Sequence, residues 1–67
     1  MKIFAERLKE LREDEGLSLQ NLAKKIGYSD VAIGRWEREE RIPNIEALVA
    51  VAKYFKVSTD YLCGLED

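Results

Sequence analysis

The chain has 67 residues, of which 46% are hydrophobic and 36% charged, and its formal net charge is −2. This length and composition are typical of one folded helical domain and argue against disorder. The longest apolar run, residues 47–52, is too short to cross a bilayer, and no signal-peptide pattern opens the chain. We therefore expect a single domain over residues 1–67, in the cytoplasm and without membrane contact.

The first predicted element is a helix over residues 2–15. Phe4, Leu8 and Leu11 recur at i, i+4 and i+7, which places them on one apolar stripe. Gly16 follows at a point where helices commonly end, because glycine adopts a positive φ easily. The stripe indicates that this helix packs on the rest of the domain along one face.

Two short helices are predicted next, over residues 19–26 and 30–38. The residue before each is a serine, which is favourable at an N-cap, and Gly27 ends the first helix. Ile33 and Trp36 form the expected inner face of the second helix. Because only a short link joins the two helices, they must cross at a steep angle, which is the helix-turn-helix arrangement.

Two further helices are predicted over residues 45–55 and 59–63, with Asn44 and Ser58 as N-caps and Gly64 as the final stop. The longer of the two carries a face of four apolar residues: Leu48, Val51, Ala52 and Phe55. Five helices with short links predict an all-α, compact five-helix bundle.

The joint spacing of these features resembles a known family. Residues 17–37, LSLQNLAKKIGYSDVAIGRWE, resemble the helix-turn-helix of phage repressor and Cro proteins, the Xre family, and the similarity continues through Pro43 to residues 57–62. The residues that carry it are Leu22, Ala23, Gly27, Ile33, Trp36, Glu37, Pro43, Tyr61 and Leu62. The resemblance implies a lambda-repressor-like domain that binds double-stranded DNA and regulates transcription, with the helix over residues 30–38 in the major groove.

The resemblance places the base-contacting positions on Ser29, Asp30, Val31 and Arg35. Arg35 suits a bidentate contact to guanine, Val31 a thymine methyl, and Asp30 the amino group of cytosine. Asp30 is equally well interpreted as a residue that complements the helix dipole. We expect Val31 to be exposed, because other residues define the inner face. Gly34 has two interpretations: it lets the helix lie deeper in the groove, or it is a neutral surface site.

A second set of candidates would contact DNA phosphates, from side chains and from the amides at the start of the helix over residues 19–26. The set comprises Arg12, Ser18, Leu19, Gln20, Arg38, Arg41 and Asn44. Arg12 and Glu37 match a family pair in which the glutamate orients the arginine near a phosphate. The alternative is a surface ion pair that contributes little.

Three positions depart from the family pattern. Leu19 stands where glutamine is usual, Glu39 where a glycine in a left-handed conformation is usual, and Glu40 where a basic residue is frequent. Glu39 predicts a strain of about 1 kcal/mol or a changed loop. Together the departures predict weak or selective DNA affinity.

The family usually acts as a dimer through its C-terminal region, so we expect a homodimeric repressor on a short palindrome, with Val57, Tyr61 and Leu65 as contact candidates. Tyr61 is alternatively a residue that closes the core. The charge distribution leaves a second function open. Residues 18–38 carry a net +2 and the rest of the chain −4, and this acidic excess favours an antitoxin-like or other partner-binding module.

Residues that carry enzymatic or metal chemistry are scarce. Cys63 is the single cysteine and there is no histidine, so the chain has no internal disulfide and no zinc-ligand set. We expect Cys63 to be a buried or half-buried apolar residue. No serine or cysteine has a matching base, so the sequence predicts neither an enzyme nor a bound metal or cofactor.

Overall fold

The structure, a computed structural model, describes residues 2–67, and these form five α-helices without a strand among them. The helices are α1 (Lys2–Asp14), α2 (Leu19–Ile26), α3 (Asp30–Glu37), α4 (Ile45–Phe55) and α5 (Thr59–Cys63). The predicted all-α five-helix bundle is confirmed. Within residues 2–67, none of the helices has the length and apolar character needed to span a membrane.

Side-chain caps fix the starts of the four later helices. The oxygen of each cap accepts a hydrogen bond from the backbone N–H three residues on, at distances of 2.8 to 3.1 Å. The caps are Ser18, Ser29, Asn44 and Ser58. Because these bonds satisfy helix N–H groups that have no backbone partner, they set where each helix leaves its loop.

α3 is one residue shorter than the predicted helix over residues 30–38. It ends at Glu37, and Arg38 is its C-cap. Glu39 adopts a left-handed conformation with φ 63°, and the N–H of Glu40 then donates to the carbonyl of Arg35 at 2.9 Å. A left-handed residue followed by this backward bond is a Schellman turn, which ends a helix.

The left-handed Glu39 gives a testable stability effect. Glu39→Gly is expected to raise the free energy of unfolding by about 1 kcal/mol, because a side chain with a Cβ is strained at positive φ. Urea denaturation followed by circular dichroism measures it. Glu39→Ala is the matched control, since it removes the charge but keeps the strain, and it should give no such gain. Equal stability of the glycine and alanine variants would contradict the strain.

The core holds residues from all five helices and seats α3 firmly. Trp36 is 6% exposed, and its ring meets those of Phe4 and Tyr28 edge-on, with centroids 6.3 and 5.6 Å away. Leu11 and Leu48, predicted on apolar faces, are only partly buried against this core. The fully buried side chains of largest volume are Phe4, Leu8, Leu22, Ile33, Val51 and Leu62. With its inner face packed in this way, α3 keeps its opposite face towards solvent.

Candidate nucleic-acid interface

The outward face of α3 carries the side chains predicted to contact bases. Val31 is 55% exposed, as expected, and Arg35 is also exposed. The two are four residues apart, so they share one side of the helix. Ser29 caps the start of α3 and is exposed, while Asp30 at the first position is half-buried. These four residues therefore line the beginning and the solvent side of one short helix.

Arg12 and Glu37 form a bidentate ion pair between α1 and α3. Arg12 Nε and Nη2 donate to the two carboxylate oxygens of Glu37 at 2.7 and 2.9 Å, and Nη1 donates to the carbonyl of Leu17 at 2.8 Å. The side chains are 13% and 8% exposed. The hydrogen bond to Glu37 is the main cause that raises the pKa of Arg12. This geometry is that of a fixed, largely covered pair rather than of a loose surface contact.

The start of α2 lies beside this ion pair. Arg12 reaches the carbonyl of Leu17, two residues before α2 begins. The exposed Ser18 caps the helix, and Gln20 is exposed, whereas Leu19 is half-buried and packs against the core. What Leu19 can offer an anion is therefore its backbone N–H, next to the Arg12 guanidinium.

An open groove of about 340 Å³ separates α3 from the loop that leads to α4. Three predicted DNA contacts share its lining, namely Arg35, Arg41 and Asn44. The remaining lining residues are Tyr28, Ala32, Trp36, Ile42 and Ala47. The groove thus brings one base-contact candidate together with two phosphate-contact candidates.

Arg38 lies apart from that groove and turns back along α3. Its Nε and Nη2 donate to the carboxylate of Glu40 at 3.1 and 3.2 Å, and this bond is the main cause that lowers the pKa of Glu40. A Cβ at Gly34 would stand 2.9 Å from Arg38 Nη1. Gly34 is buried, which rules out the interpretation that it is a neutral surface site. The space left by its missing Cβ is not open either, because the Arg38 guanidinium fills it.

The predicted dimer candidates lie in α5 and on either side of it. Val57 and Tyr61 are half-buried against the core, whereas Leu65 is 77% exposed. The guanidinium of Arg7 stacks on the Tyr61 ring, 4.2 Å from its centroid, and it also donates to the carbonyl of Tyr61. This role of Arg7 could not be predicted from the sequence, because an arginine on an amphipathic helix carries no signal of such a partner.

Exposed isoleucines are a further feature that was not predicted from the sequence. Ile42 and Ile45 are 65% and 79% exposed near the groove, and Ile3 is 43% exposed beside Gly64. Periodicity gave a signal only for Ile3, which lies off the apolar stripe of its helix. Ile45 lies three residues before Leu48 and seven before Ala52, so it shares their face and its exposure could not be read from the pattern.

A helix-turn-helix domain is defined by the short link between α2 and α3 and by the packing of α3, whose inner face is buried in the core and whose outer face is exposed to solvent. The family model described as Helix-turn-helix matches residues 8–62. The chain is 37% identical over 65 residues to the HTH-type transcriptional regulator YobD of Bacillus subtilis (strain 168), covering 97% of this chain and 58% of that protein. It is 39% identical over 61 residues to Repressor protein C2 of Salmonella phage P22, covering 91% and 28%.

Solved structures agree with this assignment. The P22 c2 repressor in complex with synthetic operator 9T superposes with a TM-score of 0.85 at 39% identity, covering 92% of this chain and 94% of that one. The N-terminal DNA-binding domain of SinR from Bacillus subtilis superposes with a TM-score of 0.87 at 29% identity, covering 100% and 96%.

The chain belongs to the phage repressor-like (Xre-type) helix-turn-helix family of transcriptional regulators, which confirms the predicted resemblance. It spans 58% of the length of YobD and 28% of that of the C2 repressor, so it matches only a part of each relative.

Proposed function

We propose that residues 1–67 act as one sequence-specific DNA-binding domain, part of a transcriptional repressor, that places α3 in the major groove. The observation that carries the proposal is the position of α3: Trp36 anchors its inner face while Val31 and Arg35 stand free on the outer one. A helix of this kind enters the groove with its N-terminal part against the bases. The likeness to the P22 c2 repressor, solved with a synthetic operator, supports it.

Base contacts are assigned to the four residues on the free side of α3. Arg35 offers two parallel donors to guanine, Val31 a methyl surface for thymine, and Asp30 an acceptor for cytosine. Ser29 is small enough for the helix start to approach the bases closely. Asp30 also complements the helix dipole, so its contribution to recognition is smaller than that of Arg35.

Phosphate contacts are assigned to groups on both sides of α3. On one side stand Arg12 and the start of α2, with Ser18 and the amides of Leu19 and Gln20. Glu37 and Leu17 occupy three of the five N–H donors of Arg12, which leaves two for an anion. On the other side, Arg41 and Asn44 border the groove beside α3. Arg38, the remaining candidate, has its guanidinium paired with Glu40.

The proposed repressor binds a short palindrome as a homodimer in the cytoplasm, as a binding protein rather than an enzyme. Two copies related by a two-fold axis would place two α3 helices in successive major grooves. The proposed contact between copies comprises the exposed Leu65 and the half-buried Val57 and Tyr61.

Arg35→Ala tests the docking of α3. The variant should bind the preferred duplex more weakly by roughly 1–3 kcal/mol and lose preference at one guanine. The parent's preferred duplex comes from selection on random DNA, and titrations with single-base variants give the preference. Lys25→Ala, an exposed residue near the end of α2, is the matched control and should keep the base preference. Unchanged binding by Arg35→Ala would show that α3 does not face the bases.

A second candidate function is a partner-binding module of the same fold. The chain's net charge of −2 and the exposed Ile42 and Ile45 favour it. The same selection separates the two functions, because a partner-binding module would enrich no sequence above the starting pool.

A further inference from the structure

The side chain of Arg38 points back along α3, so that its guanidinium lies away from the helix end at which its backbone stands. Residues four apart on a helix stand one above the other, and side chains lean towards the N-terminus. Arg38 follows this rule across Gly34, with Nη1, Cζ and Nη2 all within 3.7 Å of the place that a Cβ would occupy. The guanidinium thus lies one turn closer to the N-terminal end of α3, the end proposed to enter the DNA major groove.

The face on which this guanidinium rests is the outward one. With about 100° per residue, Gly34 lies about 60° from Val31 around the helix, whereas Ile33 and Trp36 point the other way. Gly34 therefore borders the strip formed by Val31 and Arg35. The space that a side chain at this position would take is filled by the guanidinium of Arg38.

Glu40 holds the guanidinium there by one edge. The Schellman turn fixes the Glu40 backbone through its bond to the Arg35 carbonyl, and the carboxylate then takes Nε and Nη2 of Arg38. Both Nη1 hydrogens and one Nη2 hydrogen remain, and one hydrogen from each of these nitrogens lies on the terminal edge of the guanidinium. That edge carries the two parallel donors that match O6 and N7 of guanine.

We infer that Arg38, the C-cap of α3, contacts a base. Gly34 leaves room for its guanidinium on the side of α3 that faces the DNA major groove, and Glu40 orients it. The inference rests on the proposed DNA-binding function and adds a second guanidinium beside Arg35. Arg12 is paired with a glutamate in the same way and is assigned to a phosphate, but Arg38 differs because its guanidinium lies over Gly34, on the outward side of α3. Its terminal edge still keeps the hydrogen-bond geometry that a guanine reads.

The test compares Arg38→Ala with Arg41→Ala, both exposed arginines of the same segment. Each is titrated against the parent's selected duplex, its single-base variants and a scrambled duplex, at several salt concentrations. We expect Arg38→Ala to weaken binding of the selected duplex about ten- to a hundredfold, and to flatten the preference at a base pair other than that of Arg35. The scrambled duplex should bind almost as before. Arg41→Ala should weaken all duplexes alike and reduce the salt slope by about one.

Gly34→Ala tests whether the guanidinium of Arg38 needs the space over Gly34, without removing the arginine. The added methyl displaces a flexible side-chain end, and alanine has a higher helix propensity than glycine, so the melting temperature should not fall. The preference at the Arg38 base pair should nevertheless weaken. Glu40→Gln should weaken it too, while raising affinity for every duplex because a negative charge is lost.

Four results would overturn the inference. The first is a uniform loss in Arg38→Ala with a shallower salt slope, which would make Arg38 a phosphate contact. The second is an unchanged base preference in Gly34→Ala. If the parent itself prefers no sequence, the proposed function fails, and the inference fails with it. If Arg35→Ala loses its preference while Arg38→Ala keeps its own, the inference alone fails.

Discussion

Trp36→Ala is expected to leave most of the domain unfolded at room temperature. The indole is 6% exposed and packs against the rings of Phe4 and Tyr28. Truncation of a buried tryptophan removes roughly 3–5 kcal/mol. A core in a chain this small supplies a total stability of similar size, about 3–5 kcal/mol. Far-ultraviolet circular dichroism during heating should therefore show no cooperative transition, or one far below that of the parent.

Val31→Ala is the matched control, since it shortens another apolar side chain of the same helix. Val31 is 55% exposed, and substitutions at such positions change stability by less than about 0.5 kcal/mol. Its melting curve should overlay that of the parent. A folded Trp36→Ala with the parent's melting temperature would mean that α3 does not pack on α1 through this ring.

Glu37→Ala is expected to cause the second largest loss of stability. It leaves the guanidinium of Arg12, 13% exposed, without the two hydrogen bonds it makes to the carboxylate. Hydrogen bonds to charged groups contribute about 1.5–3 kcal/mol, and an uncompensated covered charge costs more than a neutral one. Urea denaturation should show a loss of about 2–3 kcal/mol in the free energy of unfolding.

Glu40→Ala provides the comparison, because it removes the carboxylate of the other arginine–glutamate pair. The side chains of that pair, Arg38 and Glu40, are 56% and 53% exposed, and such pairs contribute little to folding. Its denaturation midpoint should stay close to that of the parent. If both variants lost the same stability, the Arg12 pair would be no more than a surface contact.

The helices could be predicted from the sequence because their ends carry local signals. A serine or asparagine side chain can cap a helix only from the position just before it, so Ser18, Ser29, Asn44 and Ser58 locate four helix starts without tertiary information. The ends are less well marked. The last residue of α3 depends on the left-handed conformation of Glu39. A glycine at this position would have predicted that conformation, whereas a glutamate does not.

The arrangement of the candidate site could be predicted only in part. The family resemblance supplied Arg12 and Glu37 as partners, and periodicity supplied the exposed side of α3. The position of the Arg38 guanidinium could not be predicted, because it depends on a missing Cβ at Gly34 and on a carboxylate that the following turn brings into reach. Contacts of this kind join residues through geometry that no single local pattern encodes.

The structure gives a further role to Glu40, one of the departures from the family pattern. Glu40 is a carboxylate beside the proposed DNA surface, and from the sequence it opposes binding. In the structure it accepts two hydrogen bonds from Arg38. In the proposed complex its charge weakens general attraction to DNA, while its position orients the Arg38 guanidinium that is proposed to contact a base.

Trp36 gives the domain a spectroscopic probe that needs no label. It is the single tryptophan of the chain, so all tryptophan fluorescence comes from one indole ring on the inner side of α3. The Tyr28 ring, 5.6 Å away, can pass its excitation to the indole by resonance transfer. Because the indole is 6% exposed, the wavelength of its emission reports whether α3 is packed on the core. DNA bound to the opposite side of the helix leaves the indole uncovered by bases, so a fluorescence change during titration would report movement of the helix rather than quenching by contact.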